Sequence, residues 1–237
     1  MFEQIMSADY LNVGDCQKIT EKVFASPGLI ASISKNEKVF RLGAESKANW
    51  WEHVEPFRED FDRLKFWLED YFKAKVEYHP LLPPPGFHVF YATAPNGGKI
   101  HADGQAFFSA AHIDYKKKFL SVWSIVVSIN MPPLGGGLHM WKKSLFNFAK
   151  EWGDIKNPLP KPDLTLPMPV GKIIIFDSRL LHQIEGFQIT DSNQARITLV
   201  AHLGEISPGR FVYFWDKLKN VAGETAEANP YERGFST

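Results

Sequence analysis

Two segments of the chain, His101-Ala102-Asp103 and His112-Ile113-Asp114, place an imidazole and a carboxylate two residues apart. On an extended strand, positions i and i+2 point to the same side. Either pair can therefore project into one cavity. A neutral imidazole and a carboxylate together suit iron(II). The spacing also arises by chance, and its occurrence twice within a dozen residues makes the point. A third histidine, His182, stands just beyond the apolar run GKIIIF that begins at Gly171. Taken alone, a histidine there is more often structural.

Arg196-Ile197-Thr198 adds a different chemistry. These residues open the apolar run ARITLVAHL, and the period of two puts Arg196 and Thr198 on one face. A guanidinium aimed inward from such a strand is costly unless an anion meets it. It fits a carboxylate bidentately, and a threonine hydroxyl can supply one more donor.

Strands are needed to hold these groups, and the pattern from Phe87 onward supplies them. Phe87–Thr93 is aromatic-rich and ends in the turn signal Ala94-Pro95-Asn96-Gly97-Gly98. Lys99–Asp103 is the expected return strand and Phe107–Ile113 another. Val122–Asn130 reads as a buried strand, followed by Pro132, Pro133 and the triple glycine 135–137. Leu138–Trp141 is a short strand and Ser144–Trp152 a short helix. Residues 156–169 are proline-rich loop, and Gly171–Phe176 and Ala195–Leu203 are strands. Many short strands between turn signals predict a barrel or double-sheet jelly roll.

Ahead of them the pattern is helical. Asp15 is the expected N-cap of a helix through Ser26, ended by Pro27 and Gly28. Phe57, Phe61, Leu64, Leu68 and Phe72 form one apolar stripe on a helix over 57–75, which needs a sheet to lie on. Pro83, Pro84, Pro85 and Gly86 then break the chain.

The order of the motifs is more telling than any one of them. An H-x-D precedes a buried strand, a glycine turn, a second buried strand with a following histidine, and R-x-T. In this order the chain resembles the 2-oxoglutarate- and iron(II)-dependent oxygenases from about Phe87 to Leu203. GKIIIFDSRLLHQIEG is similar to that family's second-histidine region, and SIVVSINMPPLGGGLHMW to its strand with following glycine turn.

The resemblance implies a mainly β fold, a double-stranded β-helix (a jelly roll of cupin type) with N-terminal helices packed on one sheet. It implies one oxygenase domain over 1–237, with 1–86 as mostly helical support, 87–203 as the core and 204–237 as an extension. His112, Asp114 and His182 would hold Fe(II), while Arg196 and Thr198 would take the distal carboxylate of 2-oxoglutarate. The keto-acid end would chelate the metal, leaving one position for O2. The implied reaction is hydroxylation of an unactivated C–H bond with release of succinate and CO2. Related halogenases carry Gly or Ala at the carboxylate position, so Asp114 favours hydroxylation over halogenation. The resemblance prefers His112 with Asp114 because that pair stands close before Val122–Asn130; His101 with Asp103 is the alternative.

Other groups invite plainer readings. His139 is expected to cap a strand, and His202 shares the face of Arg196 as a core histidine. His53, His79 and His88 carry no motif. Asp177 and Arg179 are expected to pair or to orient their loop. Lys116, Lys117 and Lys118 read as a solvated loop that could also meet an anionic substrate.

Bulk properties set limits. Lysine plus arginine equals aspartate plus glutamate at 27 each. No bulk charge therefore draws the chain to nucleic acid or to a membrane surface. A single cysteine, Cys16, forms no internal disulfide, and no leader-like or membrane-length apolar run is evident. The reading is a cytoplasmic enzyme acting on a small molecule, such as an amino acid or biosynthetic intermediate. Two rivals stand beside it: a cupin-like metal enzyme that does not use 2-oxoglutarate, and a non-catalytic jelly-roll module that binds a ligand.

Overall fold

A computed structural model of the protein describes residues 5–35, 37–43, 50–79, 82–103, 119–142, 160–191 and 194–214. The helices are α1 (Val13–Phe24), α2 (Pro27–Ser34), α3 (Trp50–Val54) and α4 (Arg58–Phe72), the last two joined by a 3-10 turn at Glu55–Phe57. Asn12, not Asp15, caps α1: its side chain accepts from the Asp15 amide at 2.8 Å. Pro27 starts α2 rather than only ending α1. Its fixed φ suits the first helical turn, where no amide partner is lost.

Helix α4 follows the predicted stripe. Phe61, Leu64 and Leu68 are fully buried, and Phe57 in the preceding turn is buried with them. Phe57 and Phe61 lie 4.7 and 5.8 Å from the Phe87 ring. Burying each such side chain contributes roughly 1.5–3 kcal/mol. Lys73 ends the helix in the left-handed region, at φ 49°.

The strands are β1 (Ile5–Asp9), β2 (Val39–Leu42), β3 (Lys75–Tyr78), β4 (Gly86–Phe90), β5 (Ser121–Asn130), β6 (Leu138–Trp141), β7 (Leu164–Leu166), β8 (Lys172–Asp177), β9 (Leu181–Ile184), β10 (Arg196–Ser207) and β11 (Arg210–Phe214). An eight-stranded sheet runs β1-β8-β5-β10-β11-β3, and β10 also pairs β4, which pairs β2. A smaller sheet has the order β7-β6-β9. The long strand β10 is the axis. One edge pairs with β5, and the other is shared by β4 near Arg196 and β11 beyond His202. Together the two sheets form a double-stranded β-helix with helices on one face.

The two faces of the large sheet differ. Ile197, Leu199, Ala201 and Leu203 of β10 join α1 and α4 in the main core. Ile174 and Phe176 of β8 pack instead against Leu138 and Met140 of β6, so this face looks at the small sheet. Arg196, Thr198, Val200 and His202 belong to that inner face by the strand period.

Several elements differ from expectation. Strands β1, β2, β3 and β11 lie outside the 87–203 core and still join the large sheet; three of them are short and mix polar with apolar residues. Leu164–Leu166 pairs with β6 inside the proline-rich stretch. The expected return strand over 99–103 is reduced to one bridge, His101 to His182. The strand over 107–113 and the helix over 144–152 fall outside the described residues. Among the described residues, no helix is long and apolar enough to cross a membrane.

Candidate metal centre and anion pocket

His182 lies on β9, opposite Met140 of β6, and is buried. On the other edge of β9 the chain at His101 makes two hydrogen bonds. The His101 amide donates to the His182 carbonyl at 3.0 Å, and the His182 amide to the His101 carbonyl at 2.9 Å. This bridge sets the two imidazoles 4.3 Å apart between ring centroids. Two residues on, Asp103 reaches both: Oδ1 lies 3.4 Å from His101 Nε2 and Oδ2 lies 3.5 Å from His182 Nε2. One ligand atom from each residue falls within a 4.8 Å group.

The surroundings hold this arrangement in place. Ser124, on the inner face of β5, donates to Asp103 Oδ2 at 2.7 Å. Its hydroxyl also meets that of Ser178 at 2.8 Å. Both serines are buried, so the pair forms a dry hydroxyl chain ending on the carboxylate. Phe176 stands edge-on to His182, at 4.9 Å between centroids.

The imidazole protons decide what the group can bind. His101 Nδ1 lies 2.8 Å from the Lys99 carbonyl, and His182 Nδ1 lies 3.0 Å from the Leu180 carbonyl. A carbonyl only accepts, so each Nδ1 carries the proton. In the neutral rings both Nε2 lone pairs then face a carboxylate. Three acceptors converging on one point repel each other unless a cation lies among them. That is the donor set of a two-histidine, one-carboxylate metal face, with Nδ1 held by a backbone carbonyl as metal-ligating histidines require.

Electrostatics agree. Burial pushes His182 down to about 4, with Asp103 opposing it. Burial works against charge on Asp103 too, yet His182 and His101 hold its carboxyl well below the usual carboxylate range. Burial likewise opposes charge on His101, but its bond to Asp103, the charge of that carboxylate and the Lys99 carbonyl together outweigh this and raise its affinity for a proton. A site that raises the proton affinity of one imidazole beside an ionised carboxylate is one that attracts cations.

Arg196, at the start of β10, is 1% exposed. Its Nε donates to the Gly136 carbonyl at 2.8 Å. Nη1 reaches Thr198 Oγ1 at 3.4 Å, and Nη2 lies 3.8 Å from Met168 Sδ. The guanidinium also sits 5.9 Å from the Phe90 ring. No carboxylate pairs with it among the described residues. Burial alone lowers its pKa to about 10. Gly135 and Gly136 make this pocket possible, both at positive φ (75° and 79°). A Cβ at Gly135 would lie 2.0 Å from the Gly186 carbonyl oxygen.

Of the residues expected at the site, His182, Arg196 and Thr198 point to the inner face. His112 and Asp114 lie outside the described residues, as do Lys116, Lys117 and Lys118. The group that the structure brings together contains the alternative pair, His101 with Asp103. His139 binds Thr165 Oγ1 at 2.8 Å on the face opposite to Met140 and His182. Arg179 pairs with Asp177 (Nε to Oδ1 2.9 Å), a local brace before β9. His202 lies beside Ser124 and Phe214 on the inner face, and His79 packs on Phe214. Ser124 carries no motif in the sequence. A signal did exist for Ser124: a hydroxyl at an inward position of an apolar strand needs a partner.

No protein-family model matches the chain, and no curated relative does. Solved structures do match. An N-substituted L-amino acid dioxygenase from Burkholderia ambifaria AMMD is 15% identical, with a TM-score of 0.54 over 90% of this chain and 86% of that one. HygX from Streptomyces hygroscopicus, with nickel and 2-oxoglutarate bound, is 12% identical, with a TM-score of 0.50 over 86% and 84%. At such identities the likeness establishes the double-stranded β-helix fold.

Proposed function

We propose that the protein is an iron(II)- and 2-oxoglutarate-dependent oxygenase that hydroxylates an unactivated C–H bond of a small molecule. His101, Asp103 and His182 are the metal ligands in this reading. The observation that carries it is the convergence of two Nε2 lone pairs and a carboxylate on one point, with both Nδ1 protons committed to carbonyls. His112 and Asp114 are the competing pair for the first two ligands.

Arg196 completes the reading. A buried guanidinium with no carboxylate beside it among the described residues favours an anion as its guest. Thr198 lies next to it, and Gly136 fixes its orientation. That favours a cosubstrate with a terminal carboxylate over a cupin-like enzyme without one. When bound, iron(II) with 2-oxoglutarate supplies oxidative decarboxylation to succinate and CO2, coupled to substrate oxidation. The chain's part is to fix the ligands, hold the cosubstrate's far carboxylate and keep water out. The inner-face residues Val126, Ile174 and Phe176 serve the last purpose. The lone, buried Cys16 suits a reducing, cytoplasmic setting.

Anaerobic titration of the metal-free protein with iron(II) and then 2-oxoglutarate tests this. A weak visible charge-transfer band should grow to one equivalent of each. Iron binding with no band on adding 2-oxoglutarate would favour the cupin-like alternative. No iron binding at all would favour a non-catalytic module.

A further inference from the structure

Two serine hydroxyls lie behind the metal group, and each has one proton to give. Ser124 Oγ lies 2.7 Å from Asp103 Oδ2, and Ser178 Oγ lies 2.8 Å from Ser124 Oγ. An ionised carboxylate only accepts, so Ser124 donates to Asp103. Its single proton is then spent, and Ser178 is left to donate to Ser124. Both protons therefore run one way, toward the carboxylate. The two serines are 2% and 0% exposed, too deep for either hydroxyl to touch a guest.

The large sheet fixes this line. Ser124 stands in β5 between Phe176 of β8 and His202 of β10. Ser178 directly follows β8, and its amide donates to the Val122 carbonyl at 3.0 Å. Asp103 has no such support from its own backbone. It stands outside any strand, two residues beyond the single bridge that ties His101 to His182. A ligand on an irregular segment needs its partners to hold it in place. Ser128, four residues after Ser124 on the same face, shows the contrasting use of a buried hydroxyl. It turns to the backbone carbonyls of Pro169 and Lys172 and braces the strands.

The line also sorts the two oxygens of Asp103. Oδ2 takes the Ser124 proton. Oδ1 faces His101 Nε2 at 3.4 Å and meets no hydroxyl among the described residues.

We propose that Ser124, oriented by Ser178, is the positioning residue for Asp103, holding Oδ2 by a hydrogen bond and presenting Oδ1 to the metal. This rests on His101, Asp103 and His182 being the ligands.

The test compares full-length chains by anaerobic equilibrium dialysis against iron(II), then by the charge-transfer band on adding 2-oxoglutarate. Ser124→Ala should weaken iron binding roughly 10- to 100-fold, the usual cost of losing the partner behind a metal ligand. The band of the iron that does bind should move to longer wavelength. A carboxylate that no longer shares its charge with a hydroxyl donates more to iron, which lowers the energy of transfer from iron to the keto acid. Ser178→Ala should move both readouts the same way but less, since it removes only the polarising bond. In the double variant the second substitution should add nothing, because Ser178 reaches Asp103 only through Ser124. Serines that merely braced the fold would lower the melting temperature of the metal-free protein and leave iron affinity and band in place. Parental iron affinity in Ser124→Ala, an unmoved band, or additive effects of the two substitutions each overturn the proposal. The ligand reading fails by a different mark, parental iron binding in His101→Ala/Asp103→Ala. That result would take Asp103 off the metal and remove this inference with it.

Discussion

His182→Ala is expected to abolish specific iron binding and all coupled turnover. His182 is the buried member of the metal group, and its Nε2 has no other described partner than Asp103. Loss of an outer hydrogen bond to a metal ligand costs 10- to 100-fold in affinity, so loss of the ligand itself should exceed ~100-fold. Among the described residues nothing comparable would retain the iron: His101 is exposed and Asp103 is left with one imidazole. Equilibrium dialysis against iron(II) under anaerobic conditions measures the effect. The backbone bridge between residues 101 and 182 does not depend on the side chain, so circular dichroism should show the fold intact. Parental iron affinity in a folded His182→Ala protein would take this residue off the metal.

Arg196→Leu is expected to weaken 2-oxoglutarate binding by roughly 150- to 5,000-fold, because a buried carboxylate left without its partner costs about 3–5 kcal/mol. The same substitution should behave oppositely in the absence of cosubstrate. Among the described residues, the buried guanidinium meets a carbonyl, a hydroxyl, a thioether and the face of the Phe90 ring, and no carboxylate. Replacing it with an apolar side chain removes an uncompensated charge from the interior. The metal-free variant should therefore melt no earlier than the parent. Iron affinity should be unchanged, since no metal-group residue contacts Arg196. An Arg196 that merely braced the fold would give the reverse pattern, with lowered stability and intact 2-oxoglutarate affinity.

The shared inward face of Arg196 and Thr198 was legible in the sequence because strand periodicity carries direct information about direction. An arginine and a threonine two apart in an apolar strand must share a face, and the inner face is the one left with polar groups. The apolar stripe of α4 was legible for the analogous reason at the helical period. The choice between the two H-x-D pairs was not. Both obey the same period, and the backbone bridge from His101 to a residue eighty-one positions later is a contact that no local pattern encodes. The Ser178–Ser124–Asp103 chain is of the same kind. Each serine is unremarkable locally, and only the pairing of β5 with β8 brings the hydroxyls together.

Short edge strands were hidden for another reason. Strand β2 spans Val39–Leu42, with alternate residues exposed, and β3 is similarly short. Four residues hold too little periodicity to stand out, and tertiary pairing decides their conformation.

Paired substitution measures directly which H-x-D pair holds the metal with His182. Two double variants, His101→Ala/Asp103→Ala and His112→Ala/Asp114→Ala, are titrated anaerobically with iron(II) and 2-oxoglutarate beside the parent. The first should lose both iron and the charge-transfer band, while the second should keep one iron per chain and the full band. Retention of iron by the first and its loss from the second would contradict this.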